Sequence, residues 1–381
     1  MAHIRQLGQF AKINSFWWTG QVPVHNRARE LFAVPPAPDA PEKDRGAVKG
    51  VQSYMTEKIE QLNACLKEDA NVVLVDTHER PAFGTRKPDI VGYVRGKPAS
   101  AFWIAVLGEV KDRRRTNDGF VDDEIGRLES MMEGFLAMEG QFRRNVTGFL
   151  TDGKSIEFFR LSFEPNRRFL STPTYSLATE GADALVSLLK ASCEQLDLPP
   201  RSVMIRGDDQ QEGRAVELEH GLGRGTSAVV YAGGIGGEKV VVKCFKEPES
   251  MEVESAMLER LRGSAVPRLI GRGDRVLVES PIGHPFAASP QAILESSHLP
   301  RPAGLTDEDK PVCATVDDIR QLIDILQEAH ARGVVHRDLN FSNMFLDRSN
   351  NKARNVLISL VGKLMRWLNA LPFFLVAGVS Q

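Results

Sequence analysis

The eight residues HRDLNFSN at positions 336–343 constrain this chain more than any other segment. They combine an aspartate, Asp338, with an amide side chain, Asn343, in a short polar stretch that predicts a loop. Apolar residues recur at helical spacing just before it, which predicts an amphipathic helix that leads into the loop. The apolar face of that helix carries Ile319, Leu322, Ile323, Leu326 and Ala329. The chain must therefore fold so that a packed helix supports a polar loop.

A glycine-rich segment, LGRGTSAVVY, lies earlier, at positions 222–231. Gly223 and Gly225 lack a Cβ atom, so a hairpin formed here could bring its backbone close to phosphate groups. Taken alone, this pattern also fits an ordinary surface hairpin.

Three further features follow in order along the chain. The pattern predicts an apolar strand that ends in Lys243, an amphipathic helix that begins at Glu254, and an apolar strand that ends at Glu279. Each charged residue by itself has an ordinary explanation as a solvated side chain. Their order together with the glycine-rich segment and the HRDLNFSN loop is hard to obtain by chance.

This ordered set resembles the eukaryotic-type protein kinase domain over about residues 217–358, and the loop matches the H-R-D-L-x-x-x-N pattern at every fixed position. The resemblance implies ATP and Mg²⁺ as cofactors. It also implies transfer of the γ-phosphoryl group to a Ser or Thr hydroxyl of a protein substrate. In that reaction Asp338 would act on the substrate hydroxyl, and Asn343 would bind Mg²⁺.

The same resemblance assigns the nucleotide contacts. Lys243 would hold the α- and β-phosphates and Glu254 would fix the lysine, with Glu252 as the alternative partner because the sequence gap is short. The backbone from Glu279 onward would face the adenine ring. The position of the usual third glycine holds Ala228. The implied nucleotide-binding residues are Gly223, Gly225, Ala228, Val230, Lys243 and Glu279.

Two further positions depart from the kinase pattern. Asn340 stands where a lysine near the transferred phosphate is usual, and Ser359 stands where the aspartate of D-F-G, the principal Mg²⁺ ligand, is expected. The resemblance ends there, and residues 359–381 form a divergent apolar tail. We therefore expect an upper lobe with an incomplete lower lobe, as in a truncated or mis-spliced product, and impaired phosphoryl transfer.

An earlier segment combines two carboxylates with a lysine. Asp89 lies near the start of one predicted strand, and Glu109 and Lys111 lie at the end of the next. Because alternate residues of a strand share a face, Glu109 and Lys111 project together, and Asp89 could meet them. The carboxylates would bind Mg²⁺, and the lysine would orient or activate a water molecule. This P-D…E-x-K pattern resembles the PD-(D/E)XK restriction-endonuclease-like superfamily, although a solvated ion pair on a binding domain would show the same residues.

The predicted fold class is α+β with two domains, an α/β restriction-endonuclease-like domain followed by a protein-kinase-like one. The predicted segments are an N-terminal arm with a Pro-rich linker (1–45), the nuclease-like domain (46–170), a helix and linker (171–213), the partial kinase-like domain (214–358) and the tail (359–381). This order resembles fungal and oomycete kinase fusions and Crinkler-type proteins.

Composition limits the partners of this chain. A formal net charge of −2 gives no global attraction to nucleic acid, so such binding is predicted only at a local patch of the N-terminal domain. No secretory signal is apparent, and the apolar stretch 367–379 is shorter than the ~20 residues that span a bilayer. We expect no membrane contact and an intracellular location, cytoplasmic or nuclear. Two alternatives stay open: a Mg²⁺-dependent nuclease with a regulatory pseudokinase, and a non-enzymatic interaction protein.

Overall fold

The structure, a computed structural model, describes residues 25–36, 42–43, 50–112, 120–140, 142–163, 166–206, 213–263, 266–282, 284–287, 312–313, 315–334, 344–347 and 355–358. The fold mixes α-helices with β-sheets, as the sequence predicts. None of the helices in these ranges combines the length and the apolar character that crossing a bilayer requires.

The first half of the chain builds a seven-stranded sheet with four helices. The helices are α1 (Asn26–Leu31), α2 (Val51–Leu66), α3 (Asp122–Glu139) and α4 (Glu180–Lys190). The strands are β1 (Val72–Asp76), β2 (Ile90–Val94), β3 (Ile104–Val110), β4 (Asn145–Thr151), β5 (Ser155–Ser162), β6 (Arg168–Ser171) and β7 (Tyr175–Ser176). The strand order is β1-β2-β3-β4-β5-β6, and β7 also pairs with β5.

One pair of strands in this sheet is parallel. β3 and β4 run in the same direction, with Val106 opposite Thr147, whereas every other neighbouring pair is antiparallel. A parallel pair needs a long crossover connection, and α3 supplies it. Helical spacing, short β-branched segments and the Asp152-Gly153 turn predict a helix, strands, a helix and a hairpin for this region, and the structure has them in that order.

Helices cover both faces of the first sheet. α2 buries Met55, Ile59, Leu62 and Leu66, whose spacing of three to four residues places them on one face of the helix. Strand alternation divides β3 in the same way. Val106 and Val110 pack with α2, while Leu107 packs with Leu128 and Met132 of α3 on the opposite face.

The second half builds a six-stranded antiparallel sheet in the order β12-β13-β11-β10-β9-β8. Its elements are β8 (Ser202–Ile205), β9 (Arg214–Arg224), β10 (Ala228–Ile235), β11 (Glu238–Phe245), α5 (Pro248–Arg260), β12 (Arg268–Gly273) and β13 (Val276–Ser280). The remaining elements are α6 (Val316–Ala331) and a four-stranded sheet of β14 (His284–Ala287), β15 (Val312–Cys313), β16 (Met344–Asp347) and β17 (Asn355–Ile358), in the order β15-β14-β16-β17.

The second sheet is buried on both faces. On one face, Ala228, Phe245 and Leu277 pack with Met251 and Leu258 of α5. The residues of the opposite face join the same apolar cluster as α2, α4 and the first sheet; they include Tyr231, Val242 and Val278. The two sheets therefore share one apolar core.

Polar contacts also cross between the two sheets. Nε1 of Trp103, just before β3, donates a hydrogen bond of 2.7 Å to the backbone oxygen of Glu219 in β9. Nζ of Lys97 donates to the backbone oxygen of Leu218 at 3.1 Å. The ring of Phe142 lies against Gly221 so closely that a Cβ atom there would overlap it. These contacts hold residues 218–221 of β9 against the first half of the chain.

Two segments have more structure than the predicted arm and linker suggest. Within the predicted N-terminal arm, α1 buries Ala28 and is followed by the buried Phe32, and Arg29 pairs with the buried Asp183 of α4. Within the predicted linker 171–213, β8 pairs with β9 and so belongs to the second sheet. Proline and polar residues mark these stretches as irregular, but long-range packing is not visible in local composition.

Candidate functional site

Three of the implied nucleotide-binding residues, together with Leu277, form a row across the second sheet. Gly223 of β9 lies opposite Val230 of β10, Val230 lies opposite Lys243 of β11, and Lys243 lies opposite Leu277 of β13. Residues directly opposite each other on neighbouring strands project to the same face. This is the face that packs against α5, so Gly223, Val230 and Lys243 line one side of the sheet together.

The predicted glycine-rich segment forms the connection between β9 and β10. The backbone N–H of Gly225 donates to the oxygen of Ala228 at 2.8 Å, which closes the hairpin. Ala228 is buried beneath it. A Cβ atom built on Gly223 would meet no other atom within 4 Å, so protein packing does not require glycine there. The space beside Gly223 is open for a ligand to approach the backbone.

Helix α5 brings a carboxylate to Lys243. The helix begins with a proline in its first turn, Pro248, where the missing N–H costs nothing. Its Glu254 projects toward β11, and Oε1 of Glu254 lies 2.5 Å from Nζ of Lys243. Both residues are buried, with 4% and 2% of their surface exposed. Glu252, the alternative partner, is exposed to solvent.

The side chain of Glu279 makes a contact that the sequence interpretation missed. The sequence assigns Glu279 a backbone role beside the adenine ring, but its side chain is only 1% exposed, and Oε1 lies 2.9 Å from Nζ of Lys243. Strand pairing explains the contact, because Leu277 lies opposite Lys243 and Glu279 projects to the same face two residues later. That alternation in β13 is the sequence signal that could have revealed it.

Burial and charge oppose each other in this cluster. Burial raises the pKa of Glu279 to about 7, and the nearby charge of Glu254 adds to the rise, while Lys243 works against it. Burial lowers the pKa of Lys243, but the carboxylates of Glu254 and Glu279 outweigh that effect and leave it raised. Lys243 is therefore a cation held by two buried carboxyl groups.

The first sheet gathers the other predicted cluster at the ends of β2 and β3. Nζ of Lys111 lies 2.7 Å from Oε2 of Glu109, and both residues are buried. Oδ2 of Asp89 accepts a hydrogen bond of 2.8 Å from the backbone N–H of Val110. Asp89, Glu109 and Lys111 therefore lie at one edge of the sheet, as the strand pattern predicts.

The electrostatics of this edge reflect its burial. Burial raises the pKa of Asp89 to about 6, and the charge of Glu109 contributes in the same direction. Two carboxylates at one buried place are suited to a divalent cation, which would relieve their repulsion. Across the residues that the structure describes, no group of three or more His, Cys, Asp or Glu side chains could hold a metal ion. Any cation here would therefore rely on backbone oxygens or water for its remaining ligands.

The predicted catalytic loop lies outside the described residues, and with it Asp338, Asn343 and Ser359. The helix before the loop is present as α6. Thr315 caps its N-terminus by accepting a hydrogen bond from the backbone N–H of Asp318 at 3.2 Å. Beyond its end, Val334 is buried in the cluster beside α5.

Comparisons with known proteins found one family model and several kinases that resemble this chain. A protein-family model described as "Domain of unknown function (DUF6826)" matches residues 48–144, from the region of α2 to the region after α3. The chain is 35% identical over 150 residues to CBL-interacting protein kinase 4 of Oryza sativa subsp. japonica. That match covers 35% of this chain and 31% of the relative, so the chain spans about a third of the curated relative that it matches.

Two solved structures overlap the chain more loosely. One is the structure of vaccinia related kinase 3, with 17% identity, a TM-score of 0.30 and coverage of 42% of this chain and 50% of that one. The other is the Mycobacterium tuberculosis PknI kinase domain, with 17% identity, a TM-score of 0.26 and coverage of 38% and 58%. The match to the curated kinase supports a kinase-like fold in this chain, and the Lys243–Glu254 contact of the second sheet is consistent with it.

Proposed function

We propose that the second half of this chain binds ATP with Mg²⁺ and belongs to the Ser/Thr type of protein kinase. The observation that carries the proposal is the buried Lys243–Glu254 pair, which lies in register with Gly223 and Val230 on one face of the sheet. A lysine fixed by a helix glutamate beside a glycine-containing hairpin is the arrangement that kinases use to hold nucleotide phosphates.

The residues of the chain would divide the work as follows. The ammonium of Lys243 would hold phosphate oxygens, and the open backbone at Gly223 would let the hairpin approach them. Val230 would pack against the base or sugar from the sheet. Asp338 would orient the substrate hydroxyl and accept its proton, and Asn343 would hold Mg²⁺, whose charge would offset that of the phosphates. These last two roles rest on the sequence pattern alone.

The proposed activity of this chain is impaired. Ser359 occupies the position of the principal Mg²⁺ ligand in kinases, and a serine hydroxyl is a far weaker ligand than a carboxylate. The groups that would hold the phosphates, Lys243 and the open backbone at Gly223, do not include Ser359, so binding is the step that we expect this chain to keep. The protein substrate is not specified by these residues.

Mg-ATP is expected to stabilise the 381-residue chain, and Gly223→Val is expected to weaken this effect. A ligand at a hundredfold excess over its Kd adds ~2.7 kcal/mol to the stability of a folded protein. A valine at position 223 would fill the open space beside β9 without meeting protein atoms, so it should block the ligand while the fold stays intact. The measurement is the melting temperature with and without Mg-ATP.

The matched control for this experiment is Leu222→Val. Leu222 is exposed at the β-bulge beside Gly223 and is not paired with a residue of β10, so its variant should respond to Mg-ATP like the native chain. Equal stabilisation of the native chain and Gly223→Val would place the nucleotide elsewhere. The lack of any stabilisation in the native chain would refute the proposed ATP site.

The acidic cluster of the first sheet supports a second candidate function, cleavage of a nucleic-acid backbone with Mg²⁺. The supporting observation is that Asp89, Glu109 and Lys111 lie together at the ends of β2 and β3. In the same sheet, α3 connects the parallel strands β3 and β4. The carboxylates would hold the cation, and Lys111 would orient an attacking water molecule. In such a nuclease, the kinase-like half would be regulatory and non-catalytic. If neither half acts as an enzyme, the chain would be a non-enzymatic interaction protein.

Glu109→Gln and Lys111→Met are each expected to abolish Mg²⁺-dependent cutting of DNA by the purified chain. Metal-ion catalysis supplies several kcal/mol of transition-state stabilisation, so the loss should be at least about 100-fold. Initial rates on a labelled duplex, with EDTA as the metal-free reference, measure it. The control is Glu133→Gln on α3, where Glu133 pairs with the exposed Arg167. Cutting that survives both changes, or that Glu133→Gln also removes, would exclude this site.

A further inference from the structure

The buried cluster around Lys243 in the second sheet holds an unbalanced charge. Lys243 carries one positive charge, and the two carboxylates that contact it, Glu254 and Glu279, carry two negative charges when both are ionised. All three side chains are almost completely buried. An excess buried charge in a region of low dielectric constant is costly unless it is neutralised.

The two carboxylates hold the lysine unequally. The Lys243–Glu254 contact has hydrogen-bond geometry at 2.5 Å. The Lys243–Glu279 contact is longer, with 2.9 Å between Nζ and Oε1. A longer contact offsets less of the desolvation penalty of a buried carboxylate. Glu279 is therefore the less well satisfied partner of Lys243.

A nucleotide phosphate would have to share Lys243 with this second carboxylate. An ammonium group has three N–H donors, and its attraction for a phosphate falls when two carboxylates already surround it. The charged groups that face Glu279 in the described part of the chain are Lys243 from β11 and Glu254 from α5. With Glu279 neutral the cluster has no net charge, and with Glu279 ionised it repels an anion.

We propose that Glu279 competes with nucleotide phosphates for Lys243, so that nucleotide binding requires Glu279 to take up one proton from solvent. This inference rests on the proposed ATP site and adds a residue that controls when the site is competent. The proton goes to the carboxylate of Glu279, the ion pair with Lys243 is released, and the ammonium becomes available to the phosphates. The Lys243–Glu254 pair stays in place.

Glu279→Gln is expected to bind Mg-ATP about tenfold more tightly than the native chain at pH 8 and about equally at pH 6. A binding-competent form that is only fractionally populated weakens the apparent affinity by that fraction. With the pKa of Glu279 at about 7, roughly one molecule in ten is competent at pH 8. Calorimetric titration of both proteins at both pH values measures the ratio, and the titration of ATP itself cancels from it.

Three controls make this result specific. Glu252→Gln, an exposed glutamate on α5, should bind Mg-ATP like the native chain at both pH values. Adenosine, which has no phosphates, should bind the native chain and Glu279→Gln equally. Titrations in buffers of different ionisation enthalpy should show uptake of about one proton per nucleotide at pH 8 in the native chain. That last measurement needs no variant, so it remains decisive if Glu279→Gln folds poorly.

The outcomes separate this inference from the function on which it rests. The competition is wrong and the ATP site stands if the native chain binds Mg-ATP without proton uptake. The same follows if the ratio of the Mg-ATP affinities of Glu279→Gln and the native chain is equal at pH 6 and pH 8. If the native chain and Glu279→Gln both fail to bind Mg-ATP even at pH 6, the ATP site and the competition fall together.

Discussion

Replacing Lys243 with methionine should destabilise the chain by about 3–5 kcal/mol at pH 8, because removal of one partner from a buried ion pair leaves uncompensated charge. Here the loss of one ammonium leaves two buried carboxylates, Glu254 and Glu279, facing each other. Urea unfolding followed by circular dichroism measures the change. The loss should shrink as the pH falls, since both carboxyl groups can then take up protons and lose their repulsion.

The double variant Lys243→Met/Glu279→Gln is the informative companion to this experiment. It removes one of the two carboxylates and should recover part of the lost stability, whereas Lys243→Met/Glu252→Gln should recover none, because Glu252 is exposed. A Lys243→Met chain as stable as the native one would mean that the cluster does not hold these charges. A lost nucleotide response in any Lys243 variant therefore carries weight only after its fold has been checked.

Trp103→Ala should destabilise the chain by about 3–5 kcal/mol, the cost of a large buried aromatic side chain. Trp103 is fully buried in the core that the two sheets share, and its Nε1 donates to the backbone of Glu219. Denaturant unfolding measured by circular dichroism tests this. We expect the loss to affect both halves together, because the side chain packs within the core that serves both.

Two further variants serve as controls for Trp103→Ala. Trp103→Phe keeps most of the apolar contact but leaves the Glu219 oxygen without its donor, so it should cost about 1–3 kcal/mol. Phe163→Ala changes an aromatic residue that is 41% exposed and should stay within about 0.5 kcal/mol of the native chain. If Trp103→Ala were as mild as Phe163→Ala, the sheets would not share the core described above.

Local patterns predicted the elements of this chain well. The helical spacing of Met55, Ile59, Leu62 and Leu66 predicts a helix over residues 51–66, which are the residues of α2. The Asp152-Gly153 turn between two apolar runs predicts the hairpin that β4 and β5 form. These features rest on spacing within one segment, which local sequence specifies directly. The segment before β3 shows the limit. The apolar run over residues 100–111 predicts a single strand, whereas Ala101–Trp103 forms a short 3₁₀ turn and the strand begins at Ile104.

Long-range packing was harder to predict. The predicted apolar face of α6 is partly wrong, because Leu322 and Ile325 are buried whereas Ile319 and Ile323 are exposed. Periodicity shows that a helix is amphipathic, but the packed face depends on which elements reach it. The contact of Glu279 with Lys243 escaped for the same reason, since it requires the pairing of β11 with β13. The roles of Asp338 and Asn343 stay predictions.

The anchoring of Trp103 has a consequence for how this chain can vary. Trp103 ties the start of β3 to β9, four residues before Gly223, while Glu109 lies ~20 Å farther along the same strand. Because side chains alternate along a strand, the insertion or deletion of a single residue between Trp103 and Glu109 would turn either the anchor or the acidic cluster to the wrong face. A chain could keep both sites in place after such a change only by adding or removing a bulge like the one between Ile104 and Val106, so we expect related chains to differ there mainly by substitution.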